Sequence, residues 1–357
     1  MKRFQIRPSV CFGGEALSAL DELAGKRVLV VTDRFLSESG LLDRVRAHLT
    51  GPVEVFDEVT PDPSLELVAK GAAVFRAFAP EAVAAFGGGS PLDCAKAIVR
   101  FGCPAGQDRP LFYAIPTTAG TGSEVTSFAI LTHDGVKLPL VEDSLLPDTA
   151  ILDPAFLSGV PAKVAADTGM DVLTHALEAY VAAGANDFTD ALAAHAFALA
   201  WQALPSAAAG EREARSVMLN ASCMAGLAFN EAGLGVCHSM AHALGGRFHV
   251  AHGRLNGILI PAVVAFNSAD RTAARKYGRL AQLCGLSGTA RALVSGLNRM
   301  RIRLEMPGSL SGAGLDRNEV LEAVPALTEA ALADICLSGN PRAVSRAEVE
   351  QLIRGAL

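Results

Sequence analysis

Asp171 and His175 stand four residues apart in the stretch Asp167 to Tyr180, and His238 and His242 repeat that spacing further along the chain. On a helix, side chains at i and i+4 share a face, so each pair could chelate one ion. Four of the eight histidines, His238, His242, His249 and His252, crowd into fifteen residues. A carboxylate joined to neutral imidazoles suits a borderline divalent metal such as iron(II) or zinc, whereas calcium and magnesium demand more oxygen ligands. Taken singly, a helix histidine is more often a hydrogen-bonded core residue than a ligand. Taken together, these types at these spacings point to a metal centre.

A second chemistry is written in glycine and hydroxyl. Phe86 ends an apolar run and is followed by Gly87, Gly88, Gly89, Ser90, Pro91, Leu92, Asp93, Cys94, Ala95 and Lys96. This reads as strand, tight turn and helix, with Ser90 as N-cap, Pro91 as the first helical residue and Asp93 three past the cap. Glycines let the backbone approach a ligand, and unpaired helix N–H groups attract an anion such as a pyrophosphate. Pro116 to Glu124 follows another apolar run and carries four hydroxyls and two glycines in nine residues, more donor capacity than a turn needs. Asp33 closes an earlier apolar run, where a carboxylate accepts from an adenosine ribose and repels a 2′-phosphate, which favours NAD over NADP. The acid precedes the glycine loop, so this is not the usual dinucleotide fingerprint.

The elements that must carry these groups differ between the two halves. Arg27–Thr32, Val53–Phe56, Ala82–Phe86 and Phe112–Ile115 read as strands, and Leu65 to Phe78 has helical apolar spacing; alternation of the two predicts a parallel sheet with helices packed on it. Beyond Asp153-Pro154, long alanine- and leucine-rich segments predict helices. The expected organisation is a dinucleotide-binding α/β domain over 1–154 with a Rossmann-like parallel sheet, then an all-helical metal-binding domain over 155–357. Two domains also suit 357 residues at roughly 150 per domain.

Composition excludes several classes. Lys plus Arg is 31 against 37 for Asp plus Glu, a net charge of −6, which lacks the basic surplus of a nucleic-acid binder. Seven scattered cysteines with no CxxC pair indicate neither a disulfide framework nor a thiolate zinc site, and fit a reducing cytoplasm. The charge-free run Ala191 to Gly210 is interrupted by His195, Gln202 and Pro205, so it predicts a buried helix ending near Pro205 and not a membrane span. Met1 to Val10 has no apolar core of signal-peptide length.

These residues resemble the iron-dependent, group III alcohol dehydrogenases. The GGGSPLDCAK and PTTAGTGSEV loops, the DTGMDVLTHALEAY helix, the GLGVCHSMAHALGG segment with Ala251-His252-Gly253, and the closing Gly339-Asn340-Pro341-Arg342 stand in family order over nearly the whole chain. Within the family, Val59 to Ser64 and Ala166 to Tyr180 look most like propanol dehydrogenases of bacterial microcompartment pathways. The resemblance implies a dehydroquinate synthase-like fold with Asp171, His175, His238 and His252 as metal ligands and His242 just outside them. It implies NAD contacts at Asp33, Gly88, Gly89, Ser90, Thr117, Thr118, Thr121 and Lys137. It departs at Ala251, where a proline commonly precedes the histidine, in the shortened stretch 101–111, and at Asp62, which stands at an asparagine-type position.

The expected activity is reversible, NAD(H)-dependent reduction of a short aliphatic aldehyde such as propanal. Iron(II), or alternatively zinc, would act as Lewis acid, His242 would relay the proton, and Phe128, Phe229 and Leu234 would line the substrate site, which is expected between the two domains. A zinc-dependent glycerol or polyol dehydrogenase of the same superfamily and a non-catalytic microcompartment component are the alternatives. Expected partners are a small alcohol or aldehyde and further copies of the chain in a homodimer or larger assembly, with microcompartment proteins also open; neither nucleic acid nor membrane is expected. The expected location is the cytoplasm, with a bacterial microcompartment open inside it.

Overall fold

The computed structural model describes residues 4–104, 106–133 and 136–357. It falls into two compact units, one ending at Gly159 and the other beginning at Val160.

The first unit is built on β1 (Ser9–Phe12), β2 (Val28–Val31), β3 (Val53–Phe56), β4 (Ala82–Gly87), β5 (Leu111–Pro116), the pair β6 (Phe128–His133) and β7 (Val136–Val141), and β8 (Thr149–Leu152). Six of these form one all-parallel sheet in the order β1-β8-β5-β4-β2-β3. Alternate residues of the central strands enter two different cores. Val28, Val30, Ala84, Phe86 and Ile115 pack with Leu20, Leu23 and Leu42, while Leu29, Val31, Val83, Ala85 and Phe112 pack with Val68, Phe75 and Ile98. A strand buried on both faces needs no polar alternation, which explains the unbroken apolar runs of the sequence.

The connecting helices are α1 (Arg34–Glu38), α2 (Leu41–Arg46), α3 (Leu65–Phe78) and α4 (Gly89–Gly102). Ser64 starts α3, its hydroxyl accepting from the Leu67 N–H at 3.2 Å, and Ala79 ends it in the left-handed conformation with φ 48°. The β6–β7 hairpin is a separate antiparallel pair.

The second unit holds α5 (Ala162–Val181), α6 (Asp187–Ala208), α7 (Arg212–Ala232), α8 (Val236–Phe248), α9 (His252–Asn267), α10 (Arg271–Leu283), α11 (Ala290–Arg303), α12 (Arg317–Ala333) and α13 (Arg346–Gly355). α5 packs on α6, α7 and α9 and is buried on every side from Gly169 to Val181, as a central helix must be. One expectation is corrected here. α6 does not end near Pro205 but runs through it to Ala208, with Pro205 inside the helix and its carbonyl accepting from the Ala209 N–H at 3.1 Å. Burial of Leu204 and Ala207 on either side of the proline outweighs the one backbone hydrogen bond it forfeits. Among the described residues no helix is long and apolar enough to cross a membrane.

Candidate metal centre and dinucleotide loops

In the helical unit, one potential ligand atom each from Asp171, His175, His238 and His252 lies within 4.8 Å of all the others. Asp171 and His175 come from successive turns of α5, His238 from the first turn of α8, and His252 from the first residue of α9. Gly253 brings the last of these in. A Cβ there would sit 2.1 Å from the Asp167 carbonyl oxygen and 3.2 Å from Asp171 Cβ, so only glycine lets the start of α9 press onto α5 at the ligand pair. On the far side of that contact Arg254 binds Asp167 through two hydrogen bonds of 3.1 and 2.5 Å.

The ring orientations are fixed by residues that the sequence reading did not single out. Glu178, one turn beyond His175, accepts the Cys237 N–H at 2.8 Å and meets His238 Nδ1 at 2.6 Å. A carboxylate can only accept, so Nδ1 carries the proton and Nε2 keeps its lone pair for the centre. Asn340 Oδ1 accepts the neighbouring Val236 N–H at 3.2 Å and the Asn267 amide at 3.1 Å, which is the part the Asn340-Pro341-Arg342 segment plays in holding the start of α8.

Asn256, one turn after His252, points its Nδ2 at the same place. It lies 2.7 Å from Asp171 Oδ1, 3.2 Å from His238 Nε2 and 3.1 Å from His252 Nε2. Three acceptor atoms thus converge on one point, together with the His175 ring stacked on His238 at 4.5 Å. Burial pushes the Asp171 carboxyl up to about 7 and holds the His238 imidazole well below its usual value, so the histidine is poised as a neutral donor. One carboxylate and three imidazoles, all buried except His252, which is 28% exposed, fit a borderline divalent metal.

The remaining clustered histidines are not among these four donors. His242, one turn beyond His238, stacks on His252 at 5.1 Å and places Nδ1 2.9 Å from Asp334 Oδ2. His249 ends α8 in the left-handed conformation, φ 54°. Phe229 stacks on His175 at 4.5 Å, and both Phe229 and Leu234 are buried.

In the sheet unit the proposed cofactor residues leave three adjacent strands at one level. Val31 pairs with Ala85 and Gly87 with Pro116, so Asp33, Gly88 and Thr117 emerge side by side at the carboxyl ends of β2, β4 and β5. Helices α1 and α2 after β2 pack on one face of the sheet and α4 after β4 packs on the other, and such a switch point is where open α/β sheets bind ligands. Gly88 and Gly89 abut the second loop: a Cβ on Gly88 would lie 3.3 Å from Thr118 Oγ1, and one on Gly89 2.9 Å from Thr121 Cγ2.

The cap expected at Ser90 is not found. Helix α4 begins at Gly89 with Gly88 as N-cap, which makes no side-chain cap bond, and Ser90 lies in the first turn. Asp93 does not reach back to the cap; it accepts Ser123 Oγ–H at 2.6 Å and the Ile130 N–H at 3.0 Å. Lys96 completes this junction, its Nζ donating to Ser123 Oγ (2.9 Å), Thr126 Oγ1 (3.2 Å) and the Phe128 carbonyl (2.6 Å). The glycine loop, the hydroxyl loop and β6 are thereby tied to one helix. Phe128, expected at the substrate, contributes this carbonyl to the junction. Asp33 caps α1 through Oδ1, accepting the Leu36 N–H at 2.9 Å, and Lys137 on β7 pairs with Asp62 at 2.9 Å.

Comparison with known proteins adds an independent line. Residues 8–154 match the model for iron-containing alcohol dehydrogenase and residues 165–357 the model for the C-terminal part of the Fe-containing alcohol dehydrogenase family. The chain is 41% identical to the 1-propanol dehydrogenase PduQ of Salmonella typhimurium, with 100% of both chains covered. It is 35% identical to an NADPH-dependent butanol dehydrogenase of Clostridium saccharobutylicum, over 99% of this chain and 97% of the other. The fold superposes on the iron-containing alcohol dehydrogenase of Thermococcus thioreducens with a TM-score of 0.94 at 30% identity, 99% of each chain covered. A sulfoacetaldehyde reductase of Bifidobacterium kashiwanohense solved with NAD+ gives 0.88 at 28% identity, covering 100% of this chain and 98% of that one.

Proposed function

The chain belongs to the iron-containing alcohol dehydrogenase family and is an enzyme that acts on alcohols, and from that premise we propose that it interconverts a short primary alcohol such as 1-propanol and its aldehyde, with NAD(H) as hydride carrier and iron(II) as metal. The observation that carries this reading is the convergence of Asp171, His175, His238 and His252 on one point, in a chain so similar throughout to a 1-propanol dehydrogenase. When bound, the metal supplies a Lewis acid toward the substrate oxygen and the dinucleotide supplies or takes the hydride.

The chain's own residues do the rest. The uncapped first turn of α4 offers N–H groups to the pyrophosphate, with Gly88 and Gly89 admitting it closely. Asp33 spends Oδ1 on its own helix and keeps Oδ2 for a ribose hydroxyl, a position at which a 2′-phosphate is repelled, so we favour NAD(H) here over the NADPH of the butanol relative. Ser90, Thr117, Thr118 and Thr121 supply donors, and Lys137, steadied by Asp62, supplies a positive charge. In the oxidative direction His242 Nε2 takes the hydroxyl proton as hydride leaves the adjoining carbon, and in reduction it returns one. The reading extends to a cytoplasmic homo-oligomer.

Metal analysis of protein purified without oxygen, paired with NADH oxidation by propanal on the same sample, tests the proposal. About one iron per chain with turnover abolished by a chelator is the expected result. Zinc with turnover only on polyols, or metal-free protein without turnover, overturns it.

A further inference from the structure

Asp334 lies where α12 ends and a short 3-10 turn, Ile335–Gly339, begins. Both of its carboxylate oxygens are committed. Oδ1 accepts the Cys336 N–H at 2.8 Å, capping the turn, and Oδ2 meets His242 Nδ1 at 2.9 Å. The two side chains are 12% and 16% exposed, so water competes little for the contact, and the α12–α8 packing that presents one to the other is extensive. The His242 ring is held a second time by stacking on His252, with 17° between the planes.

We propose that Asp334 is a positioning residue for the proton relay: it takes the Nδ1 proton of His242 in a hydrogen bond, fixes the tautomer with the lone pair on Nε2, and holds the ring against the ligand cluster. A carboxylate accepts and does not donate, so the proton on the contact belongs to histidine. Burial alone would raise the Asp334 carboxyl, but the His242 hydrogen bond and the Cys336 N–H hold it below its usual value, in keeping with an ionised acceptor. Without this contact the ring would be free to present either nitrogen, and only the lone-pair form can accept a proton from the substrate. The inference rests on His242 acting as the relay.

The test uses Asp334→Asn, which keeps a good cap for the 3-10 turn but can offer an amide N–H to Nδ1 and so move the ring proton to Nε2. Three measurements are made on wild type, D334N and H242A. Metal content is expected to match wild type in both variants, since neither residue belongs to the donor set. The kcat for propanal reduction is expected to fall on the order of 100-fold in both, with the KM values for propanal and NADH changed by less than about threefold. Histidine-ring 15N shifts of zinc-loaded protein, with the His242 signals identified by their loss in H242A, are expected to show Nδ1 protonated in wild type and Nε2 protonated in D334N.

A D334N enzyme with wild-type kcat beside a slow H242A removes Asp334 from the relay while leaving His242 in it. An Nδ1 without a proton in wild type, or the same tautomer in both proteins, also overturns the proposal. Wild-type kcat in H242A overturns the relay reading itself, and Asp334 falls with it.

Discussion

Glu178 Oε2 and His238 Nδ1 are 2.6 Å apart, with 2% and 1% of the two side chains exposed. The same carboxylate accepts the Cys237 N–H at the start of α8, so one group both begins the helix and aims the ligand it carries. Burial pushes the Glu178 carboxyl up to about 7 against the pull of those N–H groups, a cost the fold accepts for a fixed ring.

Glu178→Gln keeps the shape and can donate to Nδ1, which would place the proton on Nε2 and spoil the ligand. Metal affinity is expected to fall roughly 10- to 100-fold, the usual effect of removing a group that orients a ligating histidine. Competition with a chromophoric chelator measures it. Unchanged affinity would make Glu178 a helix cap and nothing more.

Gly253→Ala tests the close approach of α9 to α5. The added methyl meets the Asp167 carbonyl at 2.1 Å, and backbone cannot step aside as a flexible side chain can. We expect destabilisation of about 1 to 3 kcal/mol and weaker metal binding, because His252 is the residue next to the clash. Urea unfolding and metal titration of the same protein check the two effects together.

Lys96→Met removes the charge that ties Ser123, Thr126 and β6 to α4 and leaves Asp93, a mostly covered carboxylate, without its cation. Burial already lowers Lys96 to about 8 and raises Asp93, so neither charge is comfortable alone. Breaking such a pair costs about 3 to 5 kcal/mol. The thermal midpoint should fall and the KM for NADH should rise as the hydroxyl loop loosens. Adding Asp93→Asn should restore part of the midpoint without restoring the KM, whereas full restoration of both would show that the junction does not hold the loop.

Glu124 gives a pH signature. It is 1% exposed, Oε1 meets no hydrogen-bond partner, and burial pushes its carboxyl up to about 7. A carboxyl raised in the folded state stabilises the fold while protonated. That contribution is complete below the ordinary value of 4.5 and is lost as pH rises through about 7. Glu124→Gln stays neutral at every pH, so it should match wild type near pH 4.5 and exceed it near pH 8, by roughly 2 to 3 kcal/mol. Urea titrations at the two pH values measure the difference; a pH-independent gap would place the cause elsewhere.

The parts of this molecule that declare themselves locally were readable from sequence. Leu65–Phe78 is a helix with the expected ends, and the apolar runs of β2, β3, β4 and β5 are strands. β1 escaped because it is an edge strand with no fully buried residue, made a strand by its pairing with β8, and β8, although no shorter than β2 or β3, lacks their run of β-branched residues. The i, i+4 pairs marked Asp171, His175 and His238, and the same rule applied to His252 would have reached Asn256. Glu178 lies three residues after His175, again on the ligand face. Asp334 had no such signal, since His242 is 92 residues away, and the i, i+3 spacing of Asp93 and Lys96 could not disclose their shared partner Ser123, 30 and 27 residues on, which only the folded backbone brings near.

The contacts of Gly88 with Thr118 and of Gly89 with Thr121 make the two loops share a fixed volume. One cannot thicken unless the other thins: an alanine at 89 meets the Thr121 methyl, which a serine at 121 would lack. Across relatives these positions should therefore vary as linked pairs, and reshaping this chain for another dinucleotide would require editing both loops at once.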